Sequence, residues 1–182
     1  MELLQGIKER RSVRKYTGNP VPREVMEAVI DHTRFAPSWT NSQTPRWNLI
    51  DNRDVITQIG ETAVRGFSYN LDTLKNATGV AVLSYVKGVS GSVAKYGLEE
   101  AENASKWEVF DAGIAGATFC LAAHGHGVGT VIMGVIDEVK IAEIINLPEN
   151  ETVGAVIVYG YAIDETLPVP NRKEVSEILR FI

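Results

Sequence analysis

Cysteine is nearly absent: Cys120 is the only one in 182 residues. An internal disulfide framework is therefore excluded, and nothing in the cysteine usage argues against the cytosol. An excess of positive charge is also missing. Eighteen lysines and arginines face 23 acidic residues, for a net charge of −5. No general basic field recruits nucleic acid or an anionic membrane. The N-terminal stretch MELLQGIKERRS has no apolar h-region and does not read as a secretory signal, so the expected location is cytoplasmic. Ala112 to Ile136 contains no Asp, Glu, Lys or Arg, but it carries six glycines. They cluster where a spanning helix would have to continue, so the window reads as a buried helix, a turn and a buried strand, with no membrane span.

Several catalytic signatures are missing too. There is no P-loop Gly-Lys-Ser/Thr, nucleophile elbow, Ser–His–Asp order or paired-carboxylate motif. His124 and His126 have no carboxylate or cysteine close in sequence, so no metal is expected. Gly125, Gly127 and Gly129 follow a helix and precede a strand, the reverse of the dinucleotide-binding fingerprint, and read as a helix cap and tight turn. Cys120, on an apolar helix, reads as core packing. An enzyme with these absences takes its chemistry from a cofactor.

What is present is an ordinary globular composition, 45% hydrophobic and 23% charged, of a length that suits one domain over residues 1–182. Apolar spacing predicts helices over residues 2–11, from Pro22 to before Pro37, and through RDVITQIGETAVRGF. Ser105 and Glu108 form an S-x-x-E pattern that predicts a capped start for a long helix, crowded with Ala112, Gly113, Ala115, Gly116 and Ala117. Small residues there imply close approach of another backbone or a flat ligand. Asp137 predicts the cap of EVKIAEIINL, and NRKEVSEILRFI ends the chain as a short helix. RWNLID, TGVAVLSYV, VGTVIMGVI and TVGAVIVYGYA read as strands, the last buried on both faces. Helices and strands mix without strict alternation, which argues for an α+β domain.

Two stretches carry candidate chemistry. In ERRSVRKY, Arg10 ends a helix while Ser12 and Arg14 alternate onto one side of the chain that leaves it. Guanidinium forks and a hydroxyl suit a phosphate; a solvated basic face is the other reading. Arg172 and Lys173 would complete a clamp if the fold returns them. In APSWTNSQTPRWNLI, six uncharged hydrogen-bonding residues run from Ser38 to Thr44 between two prolines. Such groups suit the edge of a heterocycle, or a loop that bonds to itself.

Together these residues resemble the FMN-dependent nitroreductase family. RRSVRKY is similar to its R-R-S-x-R-x-[FY] start, and APSWTNSQTPRW to its A-P-S-x-x-N-x-Q-P-W loop. DAGIAGATFCLAAHGHGVGT resembles its long helix and G-x-G-T turn, VKIAEIINLPENETVGAVIVYGY its closing helix and strand, and NRKEVSEIL its terminal segment. The five motifs stand in order over nearly the whole chain.

The resemblance implies a three-layer fold with a mostly antiparallel central sheet flanked by helices, in an intertwined homodimer. It implies FMN as cofactor, with Arg10, Ser12 and Arg172 on its phosphate and Arg11 and Lys173 nearby. Arg14 would approach the pyrimidine edge. Pro37, Ser38 and Trp39 would line the ring or ribityl chain, and Asn41 and Gln43 would bond ribityl or ring atoms. Asn70 would face the pyrimidine edge, and Ile132, Met133 and Gly134 would flank the isoalloxazine. The implied reaction uses NADH or NADPH to reduce a small-molecule acceptor, a nitroaromatic or quinone, by ping-pong hydride transfer. A storage or sensing module without turnover, or a specialised reductase of the same superfamily, would use the same binding residues. The loop is two residues longer than the family's between Gln43 and Trp47, Asn171 replaces a proline, and Thr73 stands where some members carry lysine. The stretch 87–103, which borders the substrate mouth in the family, has no readable signature.

Overall fold

The computed structural model describes residues 2–64, 68–99, 104–163 and 167–182. Four strands form one sheet in the order β1-β2-β4-β3: β1 (Pro45–Ile50), β2 (Gly79–Val86), β3 (Gly129–Met133) and β4 (Glu151–Gly160). Every neighbouring pair is antiparallel, from Pro45 opposite Tyr85 to Gly129 opposite Gly160. The parallel element is one isolated bridge between Ser12 and Thr130.

Side-chain alternation along the two central strands builds a core on each face. Val80, Val82, Val156 and Val158 point to one layer, where they meet Ile56, Ile59, Leu74 and Ile141. These come from α3 (Arg53–Ala63), α4 (Ser68–Asn76) and α6 (Glu138–Ile144). Ala81, Ile157 and Tyr159 point to the other layer, where they meet Met26, Val29, Phe119 and Ala123. These belong to α2 (Arg23–Thr33) and the long α5 (Lys106–Gly125). The result is the expected three-layer α+β arrangement. Trp47 on β1 stacks on Phe119 of α5 at 4.5 Å with 17° between the rings, which fixes the helix over the edge of the sheet.

Local details depart from the sequence expectation. The first helix, α1, is shorter than predicted, Leu3–Glu9, with Arg10 as its C-cap. The segment SYNLDTLKN, for which no element was predicted, is α4. The helix predicted through Phe67 ends at Ala63, and its last residues, 65–67, lie outside the described ones. The capping box predicted at Ser105 and Glu108 does not form. Ser105 makes no side-chain cap bond: its backbone is already helical and its carbonyl accepts the Glu108 N–H at 3.2 Å, while the Glu108 carboxylate accepts the Gly88 N–H. A capping box does form at α7 (Val175–Ile178), between Glu174 and Glu177, although that predicted final helix has a single turn. Asp137 caps α6 as expected, accepting from the Lys140 N–H. Among the described residues no helix is long and apolar enough to cross a membrane.

Phe119 is fully buried and holds both the Trp47 stack and the α2–α5 layer. Phe119→Ala is expected to destabilise the fold by about 3–5 kcal/mol, measured by urea unfolding. A loss under about 1 kcal/mol would mean that the layer does not depend on this ring.

Candidate functional site

The first candidate cavity grows from the chain that leaves α1. The Val13 N–H donates to the Thr130 carbonyl at 2.9 Å, laying residues 12–13 beside β3. Gly129 makes this approach possible, since a Cβ there would stand 2.6 Å from Val13 Cγ2. Tyr16, buried, donates its hydroxyl to the Val13 carbonyl at 2.6 Å and so braces the same segment; burial holds that phenol well above its ordinary pKa. Alternation then sends Val13 inward and Ser12 outward. Arg10, Ser12, Thr130 and Ile132 line a cavity of about 310 Å³, with Ala117, Cys120 and Leu121 of α5 opposite. Burial also pushes the Cys120 thiol up, so at neutral pH it is a small apolar wall group.

A second cavity of about 290 Å³ opens on the other side of this segment, lined by Arg10, Arg11, His124 and Thr130 among others. Arg11 donates through Nη1 to the Arg10 and Lys8 carbonyls, closing the end of α1. Its Nε and the Nε2 of His124 are buried without hydrogen-bond partners. Burial, with Arg10 and Arg11 adding to it, holds His124 below the ordinary imidazole range. Cationic groups and an unpaired ring nitrogen around one space suit an anion.

The loop 36–44 lies elsewhere. Pro37, Ser38 and Gln43 line a cavity of about 340 Å³ with Arg46, Trp47 and Ala115. Its lining shares no residue with the Arg10–Ser12 cavity. Thr40, Asn41 and Gln43 all have φ between 45° and 57°, the left-handed region. Hydrogen bonds hold this segment in place. Trp39 N–H donates to both oxygens of Asp111, at 2.9 and 3.1 Å, and Ser42 Oγ to Oδ2 at 3.2 Å. Gln43 N–H donates to Ser38 Oγ at 2.9 Å. Thr44, one of the two extra residues of the loop, turns inward, and its carbonyl accepts the Val86 N–H. Arg46 reaches back to the Gln43 and Pro45 carbonyls at 2.8 and 3.0 Å. The serines therefore serve the loop itself, while the Asn41 and Gln43 side chains are exposed. The loop is bonded to itself through Ser38 and Ser42, and it leaves the Asn41 and Gln43 side chains exposed.

Other expected site residues fall in different places. Met133 is buried in the core beside Ile136 and Val156, because β3 alternates, whereas Ile132 and Gly134 face outward. Arg14 is exposed, its Nη1 donating to the Ser12 carbonyl at 3.2 Å. Asn70 is half-buried on α4. Arg172 and Lys173 are exposed; among the described residues Arg172 bonds its own segment, at the Pro170 and Asn171 carbonyls, and neither lines the cavities that Arg10 lines. Neither Asp111 nor Ser90 was singled out in the sequence, yet both meet Ser42 of the loop at one buried carboxylate. Among the described residues no group of three or more His, Cys, Asp or Glu could hold a metal ion.

The nitroreductase family model matches residues 7–161, most of the chain. The chain belongs to the nitroreductase family. It is 28% identical to a candidate NADH dehydrogenase/NAD(P)H nitroreductase of Methanothermobacter thermautotrophicus, over 88% of this chain and 78% of that one. It is 26% identical to the FMN reductase [NAD(P)H] of Bacillus subtilis, over 93% and 70%. In fold it matches a nitroreductase candidate of Exiguobacterium sibiricum solved in complex with FMN, with a TM-score of 0.83 and 18% identity over 100% and 98% of the two chains. The nitroreductase fold is therefore the frame on which these cavities sit.

The close approach of residues 12–13 to β3 gives a paired prediction. Gly129→Ala is expected to cost about 1–3 kcal/mol by forcing Val13 away. Gly134→Ala, where a Cβ meets open space, is expected to stay within about 0.5 kcal/mol of the parent. Thermal unfolding of both variants checks this, and equal costs would contradict the packing described.

Proposed function

We propose that the chain is an FMN-dependent NAD(P)H oxidoreductase. It acts as a homodimer and passes reducing equivalents to a planar acceptor, a nitroaromatic or a quinone. The observation that carries this reading is the Arg10–Ser12 cavity, lined by a guanidinium, by the hydroxyl-bearing Ser12 and Thr130 and by the outward-facing apolar Ile132. That donor set fits a phosphate joined to a flat ring system, and family membership and the relatives' named activities support the same choice. When bound, FMN supplies the redox chemistry, so no side chain has to serve as nucleophile.

The chain's own residues bind and orient. Arg10 and Ser12 would hold the phosphate, with Arg11 at the same end and Arg172 and Lys173 brought in from the exposed tail. Arg14 would place a permanent positive charge near the pyrimidine edge, where negative charge grows on reduction. The outward side chain of Ile132 and the bare backbone of Gly134 would flank the ring; Met133 would contribute only main-chain atoms. Pro37, Ser38, Trp39, Asn41 and Gln43 would meet the ring and ribityl chain from the partner subunit, since one chain keeps its two half-sites apart.

Surface chemistry supports the dimer. Val109, Phe110, Gly113 and Ala117 form an exposed stripe along α5, and Leu3, Leu4 and Ile7 of α1 are exposed as well. A Cβ on Gly113 would meet nothing within 4 Å in the single chain. A glycine that costs helix stability with nothing of its own chain against it suits a second backbone packing there.

The test is an absorbance spectrum of the purified protein, then anaerobic titration with NADH and NADPH and turnover with 1,4-benzoquinone. A flavin band that bleaches with nicotinamide, followed by turnover, is expected. No flavin band after FMN addition would overturn the reading, and bound FMN without turnover from either donor would favour a binding module. Arg10→Ala is expected to weaken FMN binding by about 1.5–3 kcal/mol, the worth of a charge-assisted bond, measured by fluorescence titration; parent affinity would contradict the phosphate assignment. Gly113→Glu is expected to leave the chain folded but sediment as a monomer with poor FMN retention. A dimeric Gly113→Glu protein would place the interface elsewhere.

A further inference from the structure

Two helices of one layer end side by side. Val29 of α2 and Ala123 of α5 are fully buried in their common core. About one turn beyond each stands a histidine, His32 in the last turn of α2 and His126 as the C-cap of α5. Both are exposed, and their ring centroids lie 5.3 Å apart with 58° between the planes. The backbone under each ring is pinned. Gly127, at φ 75°, closes α5: its N–H donates to the His124 carbonyl at 3.0 Å, and the Val128 N–H donates to the Ala123 carbonyl at 2.9 Å. On α2 the Arg34 N–H donates to the Ile30 carbonyl at 2.9 Å. His32 Nδ1 stands 2.6 Å from the Ala28 carbonyl. A carbonyl only accepts, so Nδ1 carries the proton and Nε2 keeps its lone pair in the neutral ring.

We infer that His32, through Nε2, and His126 form a two-imidazole site for a borderline divalent cation of the zinc class, with water completing its coordination. Three observations converge on it. Two imidazoles on one tetrahedral zinc, at the usual Zn–N distance, place their centroids about 5 Å apart, which is the spacing of this pair. A ring N–H given to a main-chain carbonyl is the outer-shell contact that orients a metal-binding histidine, and His32 makes it. The C-termini of α2 and α5 meet at the pair, so the negative ends of two helix dipoles favour a cation there without a carboxylate. Asp31, beside His32 in sequence, is already paired with Arg34 at 2.8 Å. His124 turns away to line the arginine cavity, with its Nε2 buried. In the sequence His126 has only His124 for company; the fold gives it a partner on another helix. The site is independent of the flavin reading.

The test uses the full-length protein, freed of metal with a chelator, and titrates it with Zn²⁺ by calorimetry. Mg²⁺, which prefers oxygen ligands, is the control. The parent is expected to bind one Zn²⁺ per chain and to give no heat with Mg²⁺. Loss of an outer-shell partner alone costs about 10–100-fold in metal affinity. His32→Ala and His126→Ala are therefore each expected to weaken Zn²⁺ binding at least about tenfold, and His124→Gln to hold it within about twofold. Zn²⁺ is expected to raise the unfolding temperature of the parent and of His124→Gln, and of neither alanine variant. His32→Gln and His126→Gln, which keep a polar side chain at each exposed position, replace an alanine variant that does not fold. A parent that binds no Zn²⁺ would overturn the site and leave a plain contact between two rings. Alanine variants that bind as the parent does, or a loss in only one of the two, would overturn it as well.

Discussion

One buried carboxylate holds the candidate site in shape. A polar group inside a packed core is tolerated only when hydrogen bonds replace its water, and Asp111 is answered by a backbone N–H and two serine hydroxyls. The loop it anchors carries three non-glycine residues in the left-handed region. Each such residue costs on the order of 1–3 kcal/mol unless its surroundings enforce it. Hydrogen bonds to a charged acceptor contribute about 1.5–3 kcal/mol each, enough to offset that strain. The exposed Asn41 and Gln43 are therefore displayed by residues that point the other way.

The helix that bears Asp111 organises the rest. One side of α5 packs Ala112, Ala115, Gly116, Phe119 and Ala123 onto the sheet. On its flanks stand the two half-sites, Ala115 in the wall of the loop cavity and Ala117, Cys120 and Leu121 in the wall of the arginine cavity. Its remaining stripe is open and apolar. In the proposed dimer a second copy seated on that stripe would join a loop from one chain to an arginine from the other, and residues proposed to share a task would be kept apart within one chain.

Much of this was legible in the sequence, and the failures have causes. The uninterrupted apolar runs of β2 and β4 announce strands buried on both faces, and residues of the RRSVR and APSWTNSQ stretches line two separate cavities. The helix α4 was missed because SYNLDTLKN offers few apolar residues at helical spacing; Leu71 and Leu74 settle near Gly60 only once α3 is there to receive them. The S-x-x-E pattern misled because a local motif takes no account of competing donors, and the Gly88 N–H took Glu108. Strand alternation, readable in VIM, already separates Ile132 from Met133. The Asp111 joint was beyond reach: its partners lie 72, 69 and 21 residues away, and no pattern in a single sequence records such a meeting.

The central claim is that each cofactor site is built from two chains, the arginine segment of one and the loop of the other. Subunit complementation tests it most directly. Arg10→Ala and Asn41→Ala chains, each deficient in FMN binding when alone, are unfolded, mixed and refolded together, and flavin bound per chain is counted. If the site is shared, every mixed dimer places both lesions in one site and leaves the other intact, so flavin binding returns to about a quarter of the parent's sites. If each chain builds its site alone, every site keeps a lesion, and the mixture binds no more flavin than the two variants do apart.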